Sequence, residues 1–249
     1  MANALPLQQI NLQLPDAPER AFRHRGTPAD LGVLAQMFES QDYALERLRR
    51  GAELRALYDG MVNSARRPLI LDAGANIGAS VVYFGLRFPR AHILALEPAG
   101  NNFSVLEANV GGLDVDIRCA AIGASSGQVA VTDPGNGEWG YRTVAAQVGE
   151  TVPMHAAGQL IAEKGRQGYA PFIAKIDIEG GEAELFSRDT GWVDEFPLLI
   201  IELHDWLLPQ QGTSRSFLKC IAALDRDFVY LGENIFSIRN DWTGTDFRV

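Results

Sequence analysis

The sequence predicts an α/β fold in which a mostly parallel sheet is covered by helices on both faces. Three observations point there. Short apolar runs recur after Pro68, and the first two end in an acid, at Asp72 and Glu97. Segments with helical spacing of apolar residues separate these runs. A loop carrying Gly74 and Gly78 joins the first run to the first of those helices. Strands buried on both faces read as continuous apolar stretches, and parallel pairing needs right-handed helical crossovers between them.

Residues 1–27 hold Pro6, Pro15, Pro18 and Gly26 with little periodicity and read as an extended arm. From Pro28 to Ser64 the pattern is helical, through Leu31, Leu34, Ala35 and Phe38, then Leu45, Leu48, Leu54 and Leu57. Thr27 suits an N-cap and Pro28 the first turn. Strands are expected over residues 68–72, 91–97, 115–122, 171–178 and 196–203, with a small extra strand over 128–132. Helices are expected over 78–88, 101–110, 182–186 and 214–224, and over part of 153–168. Residues 133–141, with Pro134, Gly135, Gly137 and Gly140, read as a loop whose Trp139 and Tyr141 are placed to stack on a ring. Phe228 to Leu231 and Ile235 to Ile238 flank Gly232-Glu233-Asn234 as a hairpin, giving one antiparallel strand near an edge. The simplest division is an N-terminal arm and helical cap over residues 1–67 and one α/β domain over 68–249.

The chain has 249 residues, 47% hydrophobic and 21% charged, which is the composition of an ordinary globular protein. Its net charge of -9 argues against a nucleic-acid partner, because such binding draws on Lys and Arg neutralising phosphates. Arg47, Arg49, Arg50, Arg66 and Arg67 read as solvated charges. Cys119 and Cys220 have no paired spacing and read as small core hydrophobes in a reducing compartment. The N-terminus lacks a secretory pattern, and no apolar run approaches the ~20 residues of a membrane span. The expectation is a cytoplasmic protein without membrane insertion.

Asp72-Ala73-Gly74-Ala75-Asn76-Ile77-Gly78 follows the first strand and opens a helix. Glycines there let a ligand approach the main chain, and the helix start favours an anionic group. Glu97, ending the second strand, is placed to accept hydrogen bonds from ribose hydroxyls. The loop lacks the G-x-G-x-x-G of dinucleotide sites. Asp72 suits the ammonium of a methionine tail and the loop amides its carboxylate, so the pattern matches S-adenosylmethionine better than NAD. The Rossmann-like expectation is therefore an S-adenosylmethionine site built by Asp72, Gly74, Asn76, Gly78 and Glu97.

The chain resembles the FkbM family of S-adenosylmethionine-dependent methyltransferases. Three segments carry the likeness: Leu71-Asp72-Ala73-Gly74-Ala75-Asn76-Ile77-Gly78; Leu96-Glu97-Pro98 with Asn102, Phe103 and Asn109; and Lys175-Ile176-Asp177-Ile178-Glu179-Gly180-Gly181-Glu182. Ile201-Glu202-Leu203-His204 is a weaker fourth. The resemblance implies the class I methyltransferase plan, a seven-stranded sheet ending in an antiparallel hairpin strand. It also implies O-methylation of a hydroxyl on a sugar, polyketide or other natural product, releasing S-adenosylhomocysteine (SAH). Asn102, Ala120, Ala121 and Asp177 join the expected donor site.

On the acceptor side, Asp177 and Glu179 read as same-face residues at the end of the fourth strand, and Glu202 and His204 as the same pair on the fifth. His204, whose unperturbed imidazole titrates near ~6.5, is the natural base, with Asp177 and Glu179 beside it. Asp177, Glu202, His204 and Asp205 are donors that suit magnesium, but spacing alone assigns no metal ligand. Two other readings are an NAD-dependent oxidoreductase or epimerase, and a non-catalytic S-adenosylmethionine-binding module. The first needs a glycine pattern that the loop lacks; the second has no need of the acidic cluster.

Overall fold

The computed structural model describes residues 6–132 and 151–240, and the backbone alone of 142–145. Trp139 and Tyr141 lie outside the described residues. The chain opens on an antiparallel hairpin, β1 (Gln8–Leu12) and β2 (Arg20–His24), where the sequence suggested an extended arm. Pro15 and Pro18 fall in the connection, and Leu12, Leu14 and Phe22 find their apolar partners only in the assembled core. Helix α1 (Pro28–Leu34) starts as expected, with the Asp30 backbone N–H donating to the Thr27 hydroxyl at 3.2 Å. It runs into a π turn at Ala35–Glu39, then a 3₁₀ turn at Leu45–Arg47 and α2 (Gly51–Val62).

There follow β3 (Arg67–Ala73), α3 (Ala79–Arg87), β4 (His92–Leu96), α4 (Gly100–Asn109) and β5 (Val115–Arg118). Next come β6 (Ala121–Gly123), β7 (Gly127–Thr132), β8 (Arg142–Ala145) and β9 (Thr151–Ala156). The chain ends with α5 (Ala157–Arg166), β10 (Tyr169–Ile176), α6 (Glu182–Leu185), β11 (Leu198–Glu202), α7 (Arg215–Ile221), β12 (Arg226–Leu231) and β13 (Asn234–Arg239). The main sheet has seven strands in the order β12-β13-β11-β10-β3-β4-β5. The pairs from β11 through β5 are parallel, and β13 runs antiparallel between β11 and β12. This is the class I arrangement, with the strand order reversing between β3 and β10.

One expected strand does not hold. Residues 115–122 divide into β5 in the main sheet and β6 in a separate four-stranded sheet, β6-β9-β7-β8. Its apolar run is continuous in sequence, but Cys119 and Ala120 carry the chain from one sheet to the other, and Ala121 pairs with Met154.

Period-two alternation divides the central strands between two cores. Ile70, Ile93, Leu198 and Ile200 face one cluster with α2, α3 and the N-terminal hairpin. Leu69, Leu71, Leu94, Leu199 and Ile201 face the other, with α5, α7 and Trp192. Strand β10 breaks the alternation. Its register against β3 shifts between Pro171 and Ile173, and Phe172 and Ile173 both face the first core. Pro171 has no N–H to offer a ladder, which suits it to such a bulge. The extra residue sets Lys175 beside Asp72 on the same face. Among the described residues no helix is long and apolar enough to cross a membrane.

Phe22 is fully buried in the same cluster as Ile70 and Phe84. Phe22→Ala is expected to destabilise the whole fold by about 3–5 kcal/mol. Denaturant unfolding followed by tryptophan fluorescence and far-UV circular dichroism checks this. A loss below about 1 kcal/mol would make the hairpin a dispensable arm.

Candidate active site

The loops after β3 and β10 meet where the strand order reverses, the position at which open α/β sheets hold ligands. Their backbones touch. Gly74 sits at φ +81°, and a Cβ placed on it would come within 1.8 Å of the Asp177 carbonyl oxygen. The Asp177 N–H donates to the Ala73 carbonyl at 3.1 Å, and Gly74 N–H to Leu96 at 2.9 Å. Lys175, buried, seals this junction: its Nζ donates to the Gly74 carbonyl at 2.6 Å and to Ala73 at 3.4 Å. It also lies 3.3 Å from Asp72 Oδ1 and 3.5 Å from Asp177 Oδ2. Burial works against the ammonium, but the charges of Asp72 and Asp177 outweigh it and hold Lys175 above its ordinary range.

Asp72 does not front the cleft. It is fully buried, accepts from the Ser80 hydroxyl at 2.6 Å and faces Lys175, so the ammonium partner expected from a ligand is supplied by the protein. Gly74, Asn76 and Asp177 do line a small cavity of about 40 Å³, closed on the other side by Gln36, Met37 and Tyr43 from the N-terminal segment. Gly78 takes φ +91° and caps α3, leaving the first-turn N–H groups toward the loop.

Glu97 is buried at the end of β4. One carboxylate oxygen accepts from the Asn76 N–H at 2.8 Å and the other from Ala99 at 2.9 Å. Burial pushes its pKa up to about 7, although those two N–H groups, Lys175 and the Asn102 side chain all favour the charged form. Asn102 is buried, with its Oδ1 unpaired. Ala120 and Ala121 are buried where the chain leaves the main sheet.

The acidic turn follows β10. The strand ends at Ile176, so Asp177 and Glu179 are joined by a turn and not by strand alternation. Glu179 occupies the left-handed region at φ 55° and Gly180 at φ 98°. A non-glycine residue there is uncommon and clusters at functional sites. The turn brings Asp177 and Glu179 to His204, whose Nε2 lies 3.5 Å from Asp177, 3.6 Å from Glu179 and 3.7 Å from Glu202. Its Nδ1 is 2.9 Å from Glu182, which is fully buried.

His204 does not keep its ordinary titration. Burial lowers its pKa, but the carboxylates of Asp177 and Glu182 prevail and raise it to about 11. Burial likewise opposes the Asp177 carboxylate, yet Lys175 and His204 hold it down at about 2. Burial, then the charge of Asp177, lifts Glu179 to about 8 and Glu202 to about 7. These carboxylates together favour the charged form of the imidazole.

The pattern of the Methyltransferase FkbM domain matches residues 72–231, which span the glycine loop, Glu97, the acidic turn and His204. The chain belongs to the FkbM methyltransferase family. Over 53 residues it is 45% identical to methyltransferase sdnD of Sordaria araneosa, a match spanning 21% of this chain and 20% of that protein. Among solved structures it is similar to an O-methyltransferase from Bacillus cereus in complex with SAH, at 12% identity and TM-score 0.43, covering 84% of this chain and 91% of that one. Human methyltransferase-like protein 13, in complex with SAH, is 14% identical with TM-score 0.42, covering 79% and 82%.

In this member of the FkbM family several site residues escaped the sequence reading. Glu182 stands in the family segment, but nothing local marks it as the partner of His204. Tyr43 and Met37 belong to a helical pattern that promises only core. Ser80 follows the glycine loop, and its polarity in an apolar helix was the available signal. His92 lies away from the site: it contacts Asp114 and Lys164 and stacks on Tyr169.

Lys175→Met leaves Asp72 buried without its cation and is expected to cost about 3–5 kcal/mol, read from denaturant unfolding. Gly74→Ala should cost about 3 kcal/mol or more, because its Cβ meets backbone at φ +81°. Gly78→Ala, whose Cβ would meet the movable Leu106 side chain at 2.8 Å, should cost less. Equal melting temperatures for the two glycine variants would remove the inferred loop contact.

Proposed function

We propose that the protein is an S-adenosylmethionine-dependent O-methyltransferase of the cytoplasm, acting on a hydroxyl of a small molecule, natural product or glycan. The observation that supports this most is the junction at the sheet's reversal point, where the glycine loop and the acidic turn share Lys175. The donor lies along Gly74, Asn76 and Gly78 with its ribose on Glu97 and its adenine near Ala120 and Ala121. Asn102 supports Glu97, and Asp72 acts through Lys175 and the loop. Asp177 fronts both the methionyl end of the donor and the acceptor. Residues 1–67 form a cap over the domain of residues 68–249, closing one side of the cleft.

Methyl transfer is a displacement in line with the breaking bond. The acceptor oxygen forms the O–C bond as the C–S bond breaks and its electron pair returns to sulfur, turning the sulfonium into a thioether. The hydroxyl proton passes to a carboxylate of the acidic turn, Asp177 or Glu179. His204, clasped by Glu182 and facing both acids, orients them. Alignment of oxygen, carbon and sulfur supplies several kcal/mol. Trp206, 68% exposed and beside His204, offers an open ring face to a sugar or aromatic acceptor.

Calorimetric titration with SAH, using NAD as the control, tests the donor. Ribose hydroxyls donating to Glu97 favour its charged form, so ligand affinity should rise with pH. A carboxyl raised to about 7 is mostly neutral at lower pH and ionises as pH rises through that value. Binding should therefore tighten about tenfold from pH 6 to pH 8. Glu97→Gln should bind more weakly at pH 8 and lose this dependence. Binding to NAD alone would sink the assignment, and SAH affinity independent of pH in the wild type would sink the role given to Glu97.

A further inference from the structure

We infer that Asp177, Glu179 and His204, with Glu202 at the rim, form a site for a hard divalent cation, Mg²⁺ or Mn²⁺. The ligand atoms of Asp177, Glu179 and His204 all lie within 4.8 Å of one another. Around His204 Nε2 the three carboxylate oxygens stand at 3.5, 3.6 and 3.7 Å. Those separations exceed ordinary hydrogen bonds. They fall between the spacings of neighbouring and opposite ligands in an octahedron with bonds of about 2.1 Å, which are about 3.0 and 4.2 Å.

The histidine supplies the independent observation. Its side chain is 1% exposed, and Nε2 points into the cluster, no nearer than 3.5 Å to any of the three carboxylates it faces. Nδ1 is taken by Glu182 at 2.9 Å, itself fully buried. A carboxylate holding the far nitrogen of an imidazole is how metal-binding histidines are oriented, because it fixes the Nδ1–H tautomer and directs the Nε2 lone pair outward. This role explains why a fourth acid, Glu182, is buried behind a histidine already facing three. Oxygen donors with one imidazole suit Mg²⁺ or Mn²⁺ better than a thiolate-seeking metal. Glu179, held by its left-handed turn, reaches back to complete the set.

The site stands on this geometry alone. One consequence rests on the methyl-transfer reading: a cation here would bind the acceptor oxygen and stabilise the oxyanion as its proton leaves to solvent or to a carboxylate oxygen left free.

The test uses the full chain and Mn²⁺, read by loss of the free-ion signal in electron paramagnetic resonance, with SAH titrated separately by calorimetry. The wild type is expected to bind Mn²⁺ saturably, with Mg²⁺ competing. Glu179→Gln and Glu202→Gln, both at the partly exposed rim, should each weaken it tenfold or more while SAH affinity stays within twofold. No saturable Mn²⁺ binding to the wild type, or binding unchanged in both variants, would overturn the site. Loss of SAH binding in the wild type with Mn²⁺ binding intact would instead overturn the donor reading and leave the cation site standing.

Discussion

The buried ammonium of Lys175 is the constraint on which the rest of the site depends. It satisfies the carbonyl of Gly74 and sits between two carboxylates, one fully buried and one facing the cleft. Removing a charge from water costs several kcal/mol, so such a group persists only where opposing charges and acceptors surround it. Here those partners come from two loops far apart in sequence. The pair therefore does more than stabilise: it sets the distance between the glycine loop and the acidic turn.

That arrangement depends on the bulge at Pro171. In a regular strand, a shift of one residue turns every later side chain to the other face. The extra residue puts Phe172 and Ile173 on one side and so leaves Lys175 opposite Asp72. The chemistry at the strand end is thus aimed by a backbone irregularity several residues before it. The same logic holds in the turn beyond, where the left-handed Glu179 directs its carboxylate toward His204.

Electrostatically the site has two halves. Around Glu97 the burden is burial, relieved by two backbone N–H groups, and the acid is poised near neutrality. Around His204 the burden is burial first and like charge second, with four carboxylates about one ring and, among the described residues, that ring and Lys175 as the cations beside them. The first half suits the proposed recognition of ribose hydroxyls, and the second the inferred cation.

Much of this was legible in the residues themselves. The run Leu69-Ile70-Leu71-Asp72, the glycines at 74 and 78, and the acid at 97 follow from strand burial and turn chemistry, which are local. The lysine-to-glutamate segment at 175–182 named the family because its residue types are set by one short turn. Tertiary structure decided the rest. The hairpin at residues 8–24 gains its partners from distant strands, and the split of 115–122 between two sheets depends on which edge each half meets. Asp72 was read as facing a ligand because sequence cannot say that Lys175, a hundred residues away, already occupies that position. His204 was read as an ordinary imidazole because pKa is a property of surroundings: only the fold gathers Asp177, Glu179, Glu182 and Glu202 about it. Sequence by itself determined the residue types and their local turns. Tertiary structure decided their protonation and their partners, because Coulomb energy and desolvation depend on distances that only the packed chain defines.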